Sequence, residues 1–577
     1  MPYNPALQAA QEALRDIFDC IDEQNSFIVE AGAGSGKTYS LVEALKYLIK
    51  NKGKELLAQY QQVACISYTN VASNEISSRI YSHPAIHSST IHSFCWLIIK
   101  NYQSVLRKEL SISDEKWIKK LKDLNISDGI GTRTISYDEF GHRSIKETSV
   151  SLHHDDVLEL TVRLIEKYPK FRKLLVDRYP VIFIDEYQDT DKGFVDVLKK
   201  CFIDSGDKYE RKLLFGFFGD PWQKIYDDVC GAIEHKSLKI IFLRSNFRSS
   251  PVIINILNSM RQNPHQEAAN PEAEGFVKVY HTNGWEVSNR RTGTHWKGDL
   301  PADVAHKYLD FIKKQLTSEG WDFAPEKTKI LMLTHTVLAN EQGYANIANV
   351  FEYKESFTKK NDPYIAFLVE TVEPVSISYK NKRYGEMFQV LGGRPYIQSQ
   401  DDKKNWHNHM DELLKLRDNG TIGEVIEHLK LKDYIRLPDA VQSREDELNK
   451  DDENSSIDRI RNLRMIQYKE IIALTNYINN NTPFSTQHSV KGEEYENVLV
   501  VIGRGWNFYD FNKFLEEATK DVPENQLFYE RNRNLFYVVC SRPKKRLAVL
   551  FTQELSSIAM ETIKCWFGPE AVCGLKL

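Results

Sequence analysis

A glycine-rich turn between a strand-like and a helix-like segment constrains the fold of this 577-residue chain more than any other feature. The turn is Ala31-Gly32-Ala33-Gly34-Ser35-Gly36-Lys37-Thr38, and it follows the apolar run 27–29. Its glycines let successive backbone N–H groups turn around phosphate oxygens, and the next helix adds its positive end. The order of elements predicts a phosphate-binding loop in which Lys37 reaches the β- and γ-phosphates and Thr38 ligates Mg²⁺. The residues that would face a sheet from that helix are Leu41, Leu45 and Leu48.

Paired acids at the end of a second apolar run indicate a hydrolytic site. The run 181–184 leads directly into Asp185 and Glu186. We expect Asp185 to hold Mg²⁺ through water, and Glu186 to orient or deprotonate the attacking water. Together with the phosphate loop, the pair predicts hydrolysis of ATP or GTP.

Short apolar runs rich in β-branched residues recur along the chain. Runs of this length with little alternation are typical of strands buried on both faces of a parallel sheet. Further examples are 63–66, 213–215, 240–243, 330–333, 498–502 and 547–551. They fall into two groups separated by charged, helix-like sequence, which predicts an α/β fold with more than one domain. The segments 264–275 and 284–301 are predicted to be long loops, and 443–454 is predicted to be a solvated loop or a hinge.

Composition bounds the functional classes. No stretch reaches the roughly 18 apolar residues of a membrane span, and the first residues lack a signal-peptide pattern, so we expect a cytoplasmic protein. Lys and Arg number 76 against 80 Asp and Glu, a net charge of −4, so a nucleic-acid partner would need a local basic groove. The eight cysteines lack the spacing of a zinc or iron–sulfur site, and we expect neither.

The motifs of the whole chain, taken in order, resemble those of the UvrD/Rep group of superfamily 1 helicases. Besides the phosphate loop, the matching segments are Tyr68-Thr69-Asn70, Thr90-Ile91-His92-Ser93-Phe94, 185–190, 219–226, 246–249, 486–495 and 535–542. The resemblance implies two RecA-like parallel-sheet cores of the P-loop NTPase class, each with a mainly helical insert. The implied domains are a first core at 1–95 and 161–240, its insert at 96–160, a second core at 241–344 and 481–577, and its insert at 345–480.

The resemblance also implies roles in hydrolysis. Gln223 would sense the γ-phosphate, Glu494 would meet the ribose, and Arg248 and Arg542 would be two arginine fingers. Guanidinium groups delivered from the second core stabilise the charge of the γ-phosphate when the cleft closes. The sequence 249–251, Ser-Ser-Pro, predicts a helix that begins just behind Arg248. The adenine-contacting glutamine is either Gln8 or Gln11.

A single DNA strand would be held by stacking and backbone contacts, without base readout. The implied contacts are Tyr68, Thr69, Asn70, His92, Phe94, Tyr226 and His488. Trp222 either joins them or packs against a neighbouring loop.

The chain departs from the family in two places. Asp227 and Asp228 follow Tyr226 where a Trp-Arg pair is usual, which puts strand separation in question, and the last motif lacks the Glu-Arg-Arg run, with Arg531 and Arg533 nearby.

These observations predict an ATP-dependent translocase or helicase on single-stranded DNA, with 3′-to-5′ polarity implied by the resemblance alone. The alternative is a nucleic-acid-dependent NTPase switch that recruits or licenses a partner nuclease without unwinding. The compact form resembles the helicase-like subunit of Gabija-type anti-phage systems, which act beside an OLD-family nuclease. A small-molecule kinase is disfavoured, because a kinase has no use for two arginines and a glutamate from a second core. Repair, replication and defence all stay open as pathways, as does RNA in place of DNA.

Overall fold

The computed structural model of this protein describes residues 4–113, 115–124, 129–138, 143–204, 212–226, 229–293, 295–333, 335–393, 397–432, 435–448 and 455–576. The chain divides into two compact units. The first unit contains residues 1–275 and 529–541, and the second contains 276–528 and 542–577. The segment 443–454 was predicted to be a loop or hinge, but residues 443–447 belong to the helix Asp439–Glu447, and residues 449–454 lie outside the described residues. Asp227 and Asp228 also lie outside the described residues.

The first unit is built on a parallel sheet of six strands. The strands of this unit are β1 (Phe27–Ala31), β2 (Val63–Ser67), β3 (Ile86–Thr90), β4 (Thr134–Tyr137), β5 (Ser144–Ile145), β6 (Ser149–Leu152), β7 (Val181–Asp185), β8 (Leu214–Gly219), β9 (Lys239–Leu243), β10 (Ser245–Asn246) and β11 (Glu267–Ala268). The main sheet has the order β3-β2-β7-β8-β1-β9, and every neighbouring pair is parallel. The carboxyl ends of its strands therefore share one edge, where ligands of open α/β sheets bind.

Helices cover both faces of this sheet. They are α1 (Pro5–Asp22), α2 (Lys37–Ala58), α3 (Asn70–Arg79), α4 (Ile91–Ile99), α5 (Gln103–Ser113), α6 (Glu115–Asp123), α7 (His154–Lys167), α8 (Pro169–Arg178), α9 (Lys192–Leu198) and α10 (Pro251–Met260). Phe27 and Val29 of β1 pack in one apolar cluster with α1 and α2, whereas Ile28 packs in another with α4 and α7. Alternate residues of the strand thus enter opposite layers, as in a strand buried on both faces. The residues predicted to face the sheet, Leu41, Leu45 and Leu48, are buried in the first cluster, which confirms that prediction.

The segment between α4 and α7 contains α5, α6 and a small three-stranded sheet. The sheet has the order β4-β6-β5, with β4 parallel and β5 antiparallel to β6. Buried Trp117 and Val150 place this segment in the same apolar cluster as α4 and α7. The sequence predicted the helices but not these short strands, in which apolar and serine residues alternate.

The second unit repeats the plan with another parallel six-stranded sheet. Its strands are β12 (Phe276–His281), β13 (Thr328–Met332), β14 (Phe484–Thr486), β15 (Tyr495–Ile502), β16 (Pro543–Phe551) and β17 (Val572–Gly574). Their order is β14-β13-β15-β16-β12-β17, and the neighbouring pairs are parallel. A second α/β core is therefore present, as the fold class requires.

With the exception of the helix at 526–540, the remaining helices cover this sheet or form the insert between β13 and β14. They are α11 (Ala302–Ser318), α12 (His335–Gln342), α13 (Ala345–Val350), α14 (Glu355–Thr358), α15 (Pro363–Phe367), α16 (Glu373–Lys380), α17 (Tyr384–Val390), α18 (Gln400–Asn419), α19 (Ile422–Lys432), α20 (Asp439–Glu447), α21 (Ser455–Met465), α22 (Lys469–Ile478), α23 (Phe511–Glu517), α24 (Gln526–Cys540) and α25 (Ser557–Phe567). One apolar cluster joins Ile330 and Leu499 of the sheet to Leu413 and Val425 of the insert, so the insert shares the core of the sheet. Most of α24 falls within residues 529–541, which belong to the first unit.

Short turns of other helical types complete the secondary structure. Turns of 3-10 helix lie at Tyr187–Asp189, Pro221–Gln223, Val287–Asn289 and Pro569–Ala571, and π-helical turns lie at Lys199–Ile203 and Leu368–Val372. The predicted fold class, two RecA-like cores with helical inserts, is confirmed. The division into four domains stays a prediction, and its expected boundary at residue 240 falls within β9. Among the described residues, no helix is long and apolar enough to cross a membrane.

Candidate nucleotide and nucleic-acid sites

The glycine-rich turn joins the end of β1 to the start of α2. Gly34 and Gly36 have φ angles of +72° and +83°, a conformation that disfavours side chains. Lys37 is the first residue of α2, so the turn leads directly into the helix N-terminus. This is the arrangement that gathers backbone N–H groups and the helix dipole around a phosphate.

The ammonium of Lys37 lies between the two predicted acids. Its Nζ is 2.5 Å from Oδ1 of Asp185 and 2.8 Å from Oε1 of Glu186. Burial by itself lowers the pKa of a lysine, but the charges of Asp185 and Glu186 outweigh that effect and raise the pKa of Lys37 above its ordinary value. Lys37 therefore carries its positive charge throughout the physiological range.

Glu186 is held in an unusual backbone conformation by its neighbours. Its φ and ψ are 52° and 44°, the left-handed region that non-glycine residues seldom occupy. The buried Gln188 donates a hydrogen bond from Nε2 to Oε2 of Glu186 at 2.5 Å, and its Oε1 accepts one from the backbone N–H of Asp220 at 3.0 Å. Gln188 thus ties the orientation of the Glu186 carboxylate to the end of β8. Conformations of this kind cluster at functional sites.

The turn after β9 packs directly against the phosphate loop. Nδ2 of Asn246 donates to the carbonyl of Ala33 at 2.9 Å, and the backbone N–H of Phe247 donates to the carbonyl of Gly34 at 2.8 Å. A Cβ on Gly34 would lie 2.7 Å from Oδ1 of Asn246. Gln266 adds a hydrogen bond from Nε2 to the Ala33 carbonyl at 3.2 Å. Asn246 lies in a segment that matches the family, but the sequence did not predict its contact with the phosphate loop. Gln266 was missed altogether, because it lies in a segment predicted only to be a loop.

The predicted γ-phosphate sensor lies in the turn after β8. Nε2 of Gln223 donates to Oδ2 of Asp220 at 2.8 Å. The Asp220 carboxylate is buried and also accepts from Nη1 of Arg261 at 2.7 Å. Gln223 is therefore oriented by a buried ion pair at the same sheet edge as Lys37.

The two predicted arginine fingers lie in different units. Arg248 belongs to the first unit, where its backbone N–H donates to Oδ1 of Asn246 at 3.0 Å and its Nη1 to the carbonyl of Ser541 at 3.1 Å. This differs from the expectation that the second core delivers it. The reason is that Asn246 fastens the segment before Arg248 to the phosphate loop. Behind it, α10 begins at Pro251 as predicted.

In the second unit, Arg542 is 1% exposed and its Nη1 donates to the carbonyl of Glu493 at 3.3 Å. Glu494, the predicted ribose contact, forms an ion pair with Lys544, with 2.8 Å between Oε1 and Nζ. Both residues sit where β15 and β16 begin to pair. Their roles toward a nucleotide stay predictions from the resemblance.

Two tyrosines predicted to contact DNA form an exposed pair. Tyr68 follows β2 and Tyr226 follows β8, and their rings stack with centroids 6.1 Å apart at 22°. The side chains are 46% and 41% exposed. Partial burial raises the pKa of Tyr68 to about 12, so the phenol stays neutral. Thr69 accepts a hydrogen bond from the N–H of Ala72 at the start of α3, and Asn70 is exposed beside it.

The motif around α4 separates into one half-buried and one buried ring. The imidazole of His92 lies 4.6 Å from that of His154. Burial, together with His154, lowers the pKa of His92 to about 4. Phe94 is 1% exposed and packs edge-on against Tyr179 at 5.2 Å. A ring buried to this degree has no surface to offer a base, which removes Phe94 from the predicted DNA contacts.

The predicted contact His488, in the second unit, belongs to an aromatic group. Its Nε2 lies 2.8 Å from the hydroxyl of Tyr509, and its ring centroid is 5.6 Å from that of Trp506. Trp506 and Phe508 are exposed and lie 5.8 Å apart. Sequence reasoning missed these two aromatic residues, although their spacing around Asn507 in a glycine-containing segment was a visible signal.

Trp222 packs within the first unit. Its ring meets Tyr537 of α24 edge-on at 5.4 Å, and the guanidinium of Arg533 lies 4.1 Å from its centroid. Of the two interpretations left open by the sequence, packing is the one that the structure shows. Gln8 and Gln11 are both exposed on α1, so the choice between them for adenine stays open.

Comparison with known proteins agrees with this geometry. Residues 11–154 and 135–228 match the family model of the UvrD/REP helicase N-terminal domain. This region contains the phosphate loop, the acidic pair and the Gln223 turn. The matched region and the two parallel-sheet cores make this chain similar to UvrD-like superfamily 1 helicases and support an ATP-dependent enzyme of nucleic acids.

Relatives are found over most of the chain. The Gabija protein GajB of Bacillus cereus (strain HuB5-5) is 25% identical, covering 97% of this chain and 97% of that protein. The ATP-dependent DNA helicase PcrA of Staphylococcus aureus (strain Mu50 / ATCC 700699) is 21% identical, covering 91% of this chain and 81% of the helicase. PcrA of Staphylococcus epidermidis (strain ATCC 12228 / FDA PCI 1200) is 24% identical over 41% of this chain and 38% of the helicase. The similarity to GajB extends from end to end of both chains.

The lowered pKa of His92 predicts a pH-dependent stability. Below pH 6.5 His92 binds a proton in the unfolded chain, whereas in the folded protein it stays neutral down to about pH 4. The free energy of unfolding therefore falls as the pH is lowered through this window. In His92→Asn, urea unfolding between pH 7.5 and 4.5 should show a smaller loss of stability than in the wild type. The exposed His265, changed in the same way to His265→Asn, provides a matched control variant. Equal losses in His92→Asn and wild type would contradict a buried neutral His92.

Proposed function

We propose that this protein is an ATP-dependent translocase and helicase that moves 3′ to 5′ on single-stranded DNA. The observation that carries the proposal is the contact of Lys37 with Asp185 and Glu186 at the end of the glycine turn. The exposed pair Tyr68 and Tyr226 lies at the same edge of the same sheet. A hydrolytic site and a stacking surface on one sheet edge are what a nucleic-acid motor requires.

The residues present fit a nucleotide with Mg²⁺. The left-handed glycines leave room for close approach of phosphates, and Lys37 supplies the matching charge. Among the described residues, no group of three or more His, Cys, Asp or Glu side chains is arranged to hold a metal ion. Mg²⁺ at such sites is held by substrate phosphates, waters and one or two protein oxygens, so Thr38 and Asp185 are sufficient. When bound, Mg²⁺ would neutralise charge on the phosphate oxygens.

Nucleotide binding would change the partners of Lys37. Its ammonium would turn from the two carboxylates toward phosphate, so that Asp185 could help to hold Mg²⁺ and Glu186 could orient the attacking water. Gln188 keeps the Glu186 carboxylate oriented during this exchange. Gln223 and Arg248 are proposed to contact the γ-phosphate, whereas Arg542 and Glu494 keep the finger and ribose roles that the resemblance implies.

The nucleic-acid strand is proposed to lie across the aromatic side chains. Stacking tolerates every base, and the neutral Tyr68 phenol adds no repulsion toward phosphate. Thr69, Asn70 and His92 offer polar contacts to the strand from the first unit. In the second unit His488 remains a proposed contact. DNA is favoured over RNA because the helicase relatives are named for DNA.

The first test is ATP hydrolysis with and without single-stranded DNA. Lys37→Ala should lower phosphate release by roughly a hundredfold or more, because it removes the charge that faces the phosphates. The matched control is Lys46→Ala, an exposed lysine of the same helix that pairs with Glu43 and should leave hydrolysis unchanged. Wild-type activity that does not rise with DNA at low salt would count against a motor.

Polarity is tested by strand displacement. With ATP, the wild type should displace the short strand of a duplex with a 3′ single-stranded tail and leave a 5′-tailed duplex intact. Fluorescence of a labelled strand reports the release, and Lys37→Ala provides the inactive control. Release from the 5′-tailed duplex alone would overturn the proposed direction.

A second candidate function is a nucleic-acid-dependent NTPase switch that licenses a partner nuclease. Two observations favour it: the end-to-end similarity to a Gabija protein, and the absence of the Trp-Arg pair after Tyr226. The partner would be an OLD-family nuclease, as the family resemblance implies. DNA-stimulated hydrolysis without displacement of either tailed duplex would select this candidate over the helicase.

Stacking on the exposed tyrosine pair has a measurable consequence. Loss of one base–aromatic contact costs about 1–3 kcal/mol, so Tyr226→Ala should weaken the affinity for a single-stranded oligonucleotide by roughly five- to a hundredfold in fluorescence anisotropy. Tyr226→Phe keeps the ring and should keep the affinity. Tyr81→Ala, which removes a tyrosine that is 92% exposed in the same unit, is the control. Unchanged affinity in Tyr226→Ala would exclude the pair from the strand path.

A further inference from the structure

Several contacts of the turn that contains Gln223 are made to the buried ion pair of Asp220 and Arg261. Oδ1 of Asp220 accepts from Nη1 of Arg261 at 2.7 Å and from the backbone N–H of Trp222 at 3.1 Å, while Oδ2 accepts from Nε2 of Gln223 at 2.8 Å. Asp220 and Arg261 are both nearly inaccessible to solvent. A second carboxylate, Glu30 at the end of β1, lies 3.8 Å from Nη2 of Arg261. A fully partnered buried network of this kind holds its members in one arrangement.

The indole of Trp222 is the meeting point of two guanidinium groups. Cζ of Arg533 lies 4.1 Å and Cζ of Arg261 lies 5.4 Å from its ring centroid. Tryptophan is the aromatic side chain that attracts a cation most strongly, and the attraction grows when water is excluded. The Tyr537 ring also meets the indole edge-on. Trp222 therefore joins the Gln223 turn to α24 through a contact that depends on charge as well as packing.

Helix α24 also forms hydrogen bonds with the backbone on both sides of this turn. Nδ2 of Asn534 donates to the carbonyl of Lys224 at 2.9 Å and of Pro221 at 3.4 Å. One turn further along, the hydroxyl of Tyr537 accepts from the N–H of Ala33 in the phosphate loop at 3.4 Å. A displacement of α24 would thus break or shift contacts with both the Gln223 turn and the phosphate loop.

The same network reaches the residue proposed to activate water. Gln188 accepts from the N–H of Asp220 and donates to Glu186, so its two hydrogen bonds bridge the ends of β7 and β8. Counted from α24, the path runs through Trp222 and Asp220 to Gln188 and ends at the Glu186 carboxylate. Every residue on it lies in the first unit.

We propose that Arg533 is a positioning residue for ATP hydrolysis, which acts by clamping Trp222 and so fixing the Gln223 turn against α24. The inference rests on the proposed ATPase activity and adds to it a residue that touches neither phosphate nor the attacking water. A guanidinium that only fixes a turn should affect the rate of turnover and leave nucleotide affinity in place. This separates Arg533 from Lys37, which would face the phosphates directly.

The test measures kcat and KM for ATP, the Kd of a fluorescent ATP analogue and the melting temperature. Arg533→Ala should lower kcat roughly tenfold, since small displacements of catalytic groups are costly, with the Kd changed by less than about twofold. Arg533→Lys should fall between Ala and wild type, because an ammonium keeps the charge but loses the planar stack. The control Arg178→Ala removes another arginine from an aromatic ring, 5.8 Å above Tyr179 in the same unit, and should keep the wild-type kcat.

A double-mutant cycle isolates the clamp. If Arg533 acts through Trp222, Trp222→Ala combined with Arg533→Ala should lower kcat no further than either change alone. Losses that multiply, a kcat that Arg533→Ala leaves unchanged, or a Kd that rises as much as kcat falls would each overturn the proposal.

Two further comparisons keep the outcome decisive. If Arg533→Ala does not fold, Arg533→Gln against Arg533→Lys decides, since the clamp requires several-fold higher kcat in the charged variant. A wild type that binds the analogue but never hydrolyses ATP would instead refute the proposed function, and would be seen before any variant is made.

Discussion

The ion pairs of Lys37 with Asp185 and Glu186 are the interaction on which the rest of the site depends. Two carboxylates side by side at the end of β7 repel each other, and a buried lysine without a partner loses its charge. Each group is tolerated because the others are present. A polyphosphate at the proposed site would therefore meet a cation that is already charged and already desolvated, and its binding would exchange carboxylate oxygens for phosphate oxygens around Lys37.

The parallel sheet determines which groups can cooperate. The neighbouring strands β2, β7, β8 and β1 present, in that lateral order, Tyr68, the acidic pair, the Asp220 turn and the phosphate loop. The proposed stacking surface and the proposed hydrolytic site are thus separated by the widths of a few strands. Gln188 and Asp220 connect the two middle positions by hydrogen bonds.

The sequence predicted those features that are coded locally. The glycine turn, the acids after β7 and the start of α10 each depend on residues adjacent in the chain, and both sheets were predicted from apolar runs. Strands β3 and β12 were not predicted from the sequence, because they are only partly buried and carry polar residues. Phe94 was misplaced because a motif does not reveal which side of α4 faces the core. Gln266, Arg261 and Arg533 act through contacts between distant segments, for which no local pattern exists.

The return of residues 529–541 to the first unit has a consequence for biosynthesis. Trp222, Arg261 and the phosphate loop complete their packing with a helix that is translated only after nearly the whole second unit has left the ribosome. Until then the nascent first unit exposes the surface beside its glycine turn that α24 later covers, and chaperone binding or misfolding can compete with correct folding there. A fragment that ends at residue 275 lacks α24 and leaves that surface exposed, so the first unit cannot be produced intact by truncation at residue 275.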